Sequence, residues 1–264
     1  MGKSVKTGRT IRLQSAFKIW ERNLRTYRNK WHYSFLPNFF QPIFYLVAIG
    51  VGLGAYVGEA GDFEQGYLAF IAPGLVAASA MNGAAFETTY NLYVKTHIRQ
   101  LYDAMVTTRI SMEDVIFGEM LWAVTRSFIY GLIFLLVTFF FGVPLNWYML
   151  LAPVAIVLTG FCFTAIGMAF TSCISNIDLF TYYFTIFITP LFLFSDIFFP
   201  VGERFPDSLV IIAQATPLYH GVQLLRGLAE ADLSSWPLSG LYLIVVGVIF
   251  FIIALKYLKG RVVY

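Results

Sequence analysis

The chain has 264 residues, of which 58% are hydrophobic, 18% aromatic and only 12% charged, with a mean hydropathy of +0.71. Soluble domains carry about 25% charged residues, so these totals exclude disorder and argue against an ordinary soluble enzyme. The formal net charge of +3 says less than the positions of the charges.

Residues 1–34 form a basic N-terminal segment holding Lys3, Lys6, Arg9, Arg12, Lys18, Arg22, Arg25, Arg28 and Lys30. Within it, 11–31 reads as an amphipathic helix, because Leu13, Phe17, Trp20, Leu24, Tyr27 and Trp31 recur at steps of four and three. Lys18, Arg22, Arg25 and Arg28 fall on other faces, where they reach anionic lipid heads from a helix lying along the inner leaflet. The same pattern fits a target helix in a protein groove. Six segments follow that are long enough to cross about 30 Å of hydrocarbon as helices: 36–57, 67–86, 120–142, 148–170, 179–200 and 238–258. They define a transmembrane region, 35–260, with 261–264 as a tail. The expected class is therefore an all-α membrane protein with six transmembrane helices.

Asn38, Gln41 and Pro42 interrupt the first span, and Gly50, Gly52, Gly54 and Gly58 crowd its outer half. That small-residue spacing suits close helix packing and a pliant pore wall equally. After the second span, 87–119 joins Lys95, His97 and Arg99 to the mildly apolar run Ile98, Leu101, Tyr102 and Met105. The pattern fits a short helix that docks a soluble partner, or a solvated connector. Ser111 is an N-cap candidate with Asp114 at the capping-box position, so the third span's helix is expected to begin there. Between spans five and six, Pro200 and Pro206 break the chain. A short helix over 208–213 and a second one capped by Thr216 and opened by Pro217 make either a dipping hairpin or an external cap.

Basic residues cluster before span one, between spans two and three, and in the tail, which puts both termini in the cytoplasm. The turn at 171–178 has no basic residue and is placed inside by alternation alone. No charge lies at the centre of a span. Arg126 is expected to snorkel to the inner surface, near Glu119 and Trp122 on the same helix face. A carrier coupled to protons or sodium would place an acid near the midplane. His32, His97 and His220 have no metal-ligand spacing, no Gly-rich turn exists for nucleotide phosphates, and nothing suggests a nucleic-acid partner. Cys162 and Cys173 on one helix would stand about 16 Å apart, too far for a disulfide. The chain carries no enzyme signature, and active transport would need energy from another chain.

The ordered layout resembles the permease family of ABC-2 type transporters, the type V exporter fold. In particular it is similar to permeases of lipooligosaccharide (nodulation-factor) exporters and of O-antigen and other polysaccharide exporters. The residues that carry the likeness are Pro73-Gly74-Leu75-Val76-Ala77 with Ser79-Ala80-Met81, Phe86-Glu87-Thr88, Gly118-Glu119 with Trp122-Ala123, and Thr189-Pro190 with Leu193 and Phe199-Pro200.

The resemblance implies a homodimer in the bacterial inner membrane, served by two copies of a separate ATPase that binds the ATP and magnesium, with no cofactor in this chain. It implies export of an amphiphilic glycolipid, lipooligosaccharide or polysaccharide. Hydrophobic drugs or lipids are the alternative cargo, and an ion-coupled secondary transporter is the more distant reading. It makes 95–106 the coupling helix (Lys95, His97, Ile98, Arg99, Leu101, Tyr102, Met105) and 11–31 the interface helix (Phe17, Trp20, Arg22, Leu24, Arg25, Tyr27). It makes 203–230 an outer re-entrant pair of helices (Pro206, Pro217, His220, Leu225). A path between spans one and five of two protomers gives Asn38, Gln41, Tyr45, Tyr182, Phe187 and Ser195 as lining candidates.

Overall fold

The computed structural model describes residues 12–53, 66–99, 101–107, 110–143, 146–174, 176–204 and 206–262; at 30–39, 41 and 42, among others, only the backbone is described. The readings of Trp31, Asn38 and Gln41 as side chains, and of Gly54 and Gly58, therefore lie outside the described residues. Ten helices are found among those described. They are α1 (Leu13–Tyr45, running on as wider π-type turns over Leu46–Leu53), α2 (Tyr67–Ile98), α3 (Leu101–Val106), α4 (Met112–Phe140), α5 (Ala152–Cys173, led in by a 3-10 turn at Trp147–Leu151), α6 (Leu179–Phe194), α7 (Val201–Arg204), α8 (Asp207–Gln214), α9 (Pro217–Glu230) and α10 (Trp236–Val262).

Four described helices are long and apolar enough to cross a membrane: α2, α4, α5 with its lead-in turn, and α10 over Trp236–Leu258; α6 is shorter. With Leu136, Phe140, Trp147, Leu150, Leu241 and Ile252 left exposed on their outer faces, this is an all-α, multi-spanning membrane protein. Inside, α2 packs on α4, α5 and α9, α5 on α10, and α1 on α4. Lipid gives helices no hydrophobic reason to associate, so small residues and polar contacts hold them. A Cβ at Gly83 would stand 2.6 Å from Tyr130, and one at Gly131 2.6 Å from Ile156. Ser127 Oγ donates to the Ala80 carbonyl across α2 and α4 (2.7 Å).

The caps read from sequence form. Ser111 Oγ accepts from Asp114 N (3.2 Å) while Asp114 accepts from Ser111 N (3.1 Å) and from Arg12 N (2.7 Å), tying α1 to the start of α4. Thr216 Oγ1 accepts from Tyr219 N at the start of α9 (3.4 Å), and Leu218, Val222 and Leu225 are fully buried along its inner face.

Three expectations change. The interface helix and the first span are one continuous helix, not two elements: Pro37 and Pro42 lie within it, and membrane helices absorb proline by local widening and neighbouring groups. Its buried face is Ala16, Ile19 and Asn23 against α4, while Leu13 and Phe17 of the expected stripe are 69% and 56% exposed. The second span's helix does not stop at Phe86 but runs to Ile98, because Thr88 and Thr89 return their hydroxyls to the Ala84 and Ala85 carbonyls and the polar side chains beyond them find partners. The fifth segment ends at Phe194 and not at 200, because Asp196 takes a left-handed conformation (φ 64°) and turns the chain back.

Candidate functional site

A cavity of about 300 Å3 lies between α1, α2, α4 and α6. Tyr45, Phe86, Phe134, Phe184 and Phe192 form its aromatic wall, and Ser79, Asn82 and Thr189 its polar one. Ser79 and Thr189 spend their hydroxyls on backbone carbonyls. The aromatic wall extends along α2 and α6 as a ladder. Phe86 stacks on Phe184 (4.6 Å between centroids), Tyr90 stacks on Phe184 (5.7 Å), and Tyr93 meets Phe180 edge-on (5.6 Å) and stacks on His97 (4.3 Å). Such rings offer apolar faces with a polar rim. The same side of the molecule is bare: Phe44, Val47, Tyr182 and Ile186 on α1 and α6 are 67%, 47%, 60% and 67% exposed.

At the N-terminal end of α4, two buried carboxylates, Glu87 and Glu119, organise three cations. Lys95 Nζ bridges them at 2.9 and 2.7 Å; Arg126 Nη1 reaches Glu87 at 2.6 Å and Arg22 Nη2 reaches Glu119 at 3.1 Å. Trp122 Nε1 and Asn91 Nδ2 also donate to Glu87 (2.8 and 2.7 Å). Arg126 therefore does not snorkel. It turns into the protein, 9% exposed, because Glu87 and the Tyr130 hydroxyl meet it there. Arg22, expected among lipid heads, likewise turns inward, and its Nη1 also contacts Met105 Sδ (3.3 Å). The network thus joins α1, α2 and α4 and touches α3. Burial, reinforced by the Glu119 carboxylate, holds the Tyr102 phenol of α3 well above its usual range, so it stays neutral.

A second polar clasp closes the other end. Asp196 accepts from Arg226, from Gln223 Nε2 (3.0 Å) and from Val201 N (2.9 Å), while Arg226 Nη2 donates to the Asp196 carbonyl (2.6 Å) and its guanidinium sits 4.1 Å over the Phe70 ring. Tyr67 Oη donates to the Phe198 carbonyl (3.1 Å). The turn after α6 is thereby fixed to both α9 and the start of α2. Among the described residues, no group of three His, Cys, Asp or Glu side chains is arranged to hold a metal ion.

Comparison with known proteins places the chain in a family. Residues 14–229 match the model of the ABC-2 type transporter family. The chain belongs to that family. It is similar to nodulation protein J of Sinorhizobium fredii (32% identical, covering 79% of this chain and 78% of that one), of Rhizobium leguminosarum biovar viciae (34%, covering 79% of each) and of Rhizobium meliloti (30%, 79% and 78%). As an ABC-2 permease, the chain is the non-catalytic membrane component of an exporter, and its membership implies a cognate ATPase partner.

Within this ABC-2 permease, the residues singled out from sequence separate into groups. Tyr45 lines the cavity; Tyr182 stands on the bare face; Phe187 packs against the core beside Tyr183 (5.4 Å); Ser195 is fully buried and bonded to Thr216 (3.0 Å). Of the 95–106 group, His97, Ile98 and Arg99 are exposed, whereas Lys95, Tyr102 and Met105 point into the charge network or the apolar cluster beneath it. On α1, Trp20 Nε1 donates to Thr125 (2.9 Å), Arg25 pairs with Glu21 (2.6 Å), Tyr27 meets Trp122 edge-on (5.6 Å) and Leu24 is half-buried. In the outer segment, Pro206 caps α8, Pro217 opens α9, Leu225 is buried, and His220 Nδ1 lies 3.2 Å from Ser239 Oγ with its ring stacked on Tyr242 (3.9 Å). Sequence reasoning passed over Asn82 and the Phe86–Phe184–Tyr90 ladder, whose residues lie on two helices. It also left Glu87 and Lys95 unpaired, although their eight-residue spacing on a continued helix puts them on one face.

Proposed function

We propose that this permease moves an amphiphilic glycolipid, of the lipooligosaccharide kind, outward along the face formed by α1, α2 and α6. The observation that carries the reading is the cavity with its aromatic ladder on one side and Asn82 on the other, open to a bare apolar surface. Ring faces suit both sugar faces and acyl chains, and a carboxamide offers hydrogen bonds to hydroxyls. A second copy of the chain set against Phe44, Val47, Tyr182 and Ile186 would turn that open face into an enclosed path, so the working unit is a homodimer.

In this reading six helices span the membrane, the first within α1 and its continuation and the fifth as α6. Both termini are cytoplasmic, following the basic residues. The α8–α9 pair forms the outer re-entrant cap, pinned by Asp196 and Arg226. The ATPase docks on His97, Ile98, Arg99 and α3, and the charge network behind them carries its movement into α1, α2 and α4. The test is a double substitution, Arg99→Glu with Leu101→Asn, in the chain co-reconstituted with its ATPase. Loss of ATP-driven glycolipid transport with the permease still folded supports the docking role, and unchanged transport refutes it.

A further inference from the structure

Hydroxyls on the long helices mostly close on their own backbone. Thr88, Thr89, Thr138, Thr159 and Thr189 each donate to a carbonyl of their own helix at 2.7–2.9 Å, as a threonine facing hydrocarbon has every reason to do. Two on α6 do not. The Thr181 and Thr185 hydroxyls are exposed and find no hydrogen-bond partner among the described residues. Tyr182, 60% exposed, likewise leaves its hydroxyl without one. Steps of four carry this row along one side of α6 to Thr189, which is exposed there and also lines the cavity. Inside the cavity the Asn82 carboxamide, again with no partner among the described residues, continues it.

The neighbouring edge of the same face is different. On α1, Phe40, Phe44 and Val47 are exposed and the two rings stack (6.1 Å between centroids), while Tyr45 meets Phe192 edge-on (5.8 Å) and holds this edge beside α6. The face therefore pairs unspent hydroxyls with an apolar strip. No charged residue occurs in 39–53, 67–86 or 179–194, so a phosphate carried along it would have no counter-charge, a costly arrangement. Hydroxyls that both donate and accept suit a ligand rich in hydroxyls of its own. We propose that Thr181, Tyr182 and Thr185 bind the uncharged saccharide head of the transported amphiphile, with its chains against Phe40, Phe44 and the cavity. This rests on the glycolipid reading above and narrows it to neutral-sugar heads over phosphate-bearing ones.

The test is lipid retention by the purified, delipidated full chain. Diglucosyl diacylglycerol, diacylglycerol and phosphatidylglycerol with the same acyl chains are titrated in detergent, and bound lipid is counted by native mass spectrometry. The diglucosyl lipid should be held about tenfold more tightly than either of the others. Thr181→Val with Thr185→Val should weaken it about tenfold, the size of two lost neutral hydrogen bonds, and leave diacylglycerol retention unaltered. Tyr182→Phe, which removes only an exposed hydroxyl, should weaken it severalfold and decides should the double variant fail to fold. Equal retention of the three lipids, preference for phosphatidylglycerol, or unaltered retention in the variants overturns the proposal. Loss of dimer in the double variant with unaltered retention overturns it too and assigns the hydroxyls to contact between copies. ATP-driven translocation of the diglucosyl lipid, measured alongside with the cognate ATPase, separates the two readings. Equal translocation by wild type and variants overturns the hydroxyl site alone. Saccharide-dependent retention without translocation supports the site and overturns the transport reading.

Discussion

Glu87 ties α2 to α4 through four side-chain donors. It receives Lys95, Arg126, Trp122 and Asn91 while 3% exposed, and a buried ion stripped of its partner is costly. Glu87→Gln leaves three cations facing Glu119 alone and is expected to destabilise by about 3–5 kcal/mol. Lys95→Met leaves two cations on two carboxylates and should cost clearly less. Thermal unfolding of the two variants in detergent checks the order; equal losses would mean that charge balance does not govern the network. Sequence reasoning put Glu119, Trp122 and Arg126 on one helix face as a local polar cluster; the structure links them through Glu87 and Lys95 of α2. The partners from α1 and α2 were not legible, because salt-bridge choice depends on which helices become neighbours.

At the scale of elements, α1 is held by close approach to α4. A Cβ at Gly118 would lie 2.7 Å from the Ala16 carbonyl and 2.8 Å from Ile19 Cβ, so Gly118→Val should lift α1 away. Ala16→Cys, at a fully buried position, reports it in a Cys173→Ser background: maleimide labelling should be slow with Gly118 and fast with Val. Equally slow labelling in both would contradict the packing.

The α9–α10 contact carries a pH dependence. Burial lowers the His220 pKa from its usual 6.5, so as pH falls through that value the undocked state takes the proton first and docking weakens. The loss is complete once pH is below the depressed value in the folded state, and above 6.5 there is none. The thermal midpoint should fall on acidification from about pH 7 to about pH 5, and the part due to this residue should vanish in His220→Gln. An identical pH slope in the variant would contradict the assignment.

Helix starts were the legible part of the fold: Ser111, Thr216 and Pro217 act as their types dictate. Helix ends were not. Hydropathy falls at Glu87, yet α2 continues because its polar side chains are satisfied. Hydropathy continues past Phe194, yet α6 stops because Asp196 is drawn to Arg226. The boundary expected near residue 35 of α1 likewise has no break in the backbone to mark it.

For the whole molecule, the features that matter lie between helices distant in sequence. The cavity draws on α1, α2, α4 and α6, and each helix alone reads only as an apolar span. In the proposed reading the bare α1–α6 face receives a second copy and the exposed His97–Arg99 corner receives the ATPase of this ABC-2 permease. In the proposed path, Asn82→Leu should lower ATP-driven transport of a glycolipid severalfold without disturbing the fold, since this side chain lines the cavity and is only partly buried. Initial uptake rates into inverted vesicles measure it, and a wild-type rate would remove Asn82 from the path.

The division of labour between this chain and its ATPase is tested most directly by glycolipid translocation in proteoliposomes, with and without the cognate ATPase. Translocation is predicted only when both proteins and ATP are present, with none from the permease alone under a proton or sodium gradient. Gradient-driven translocation by the permease alone would contradict the account.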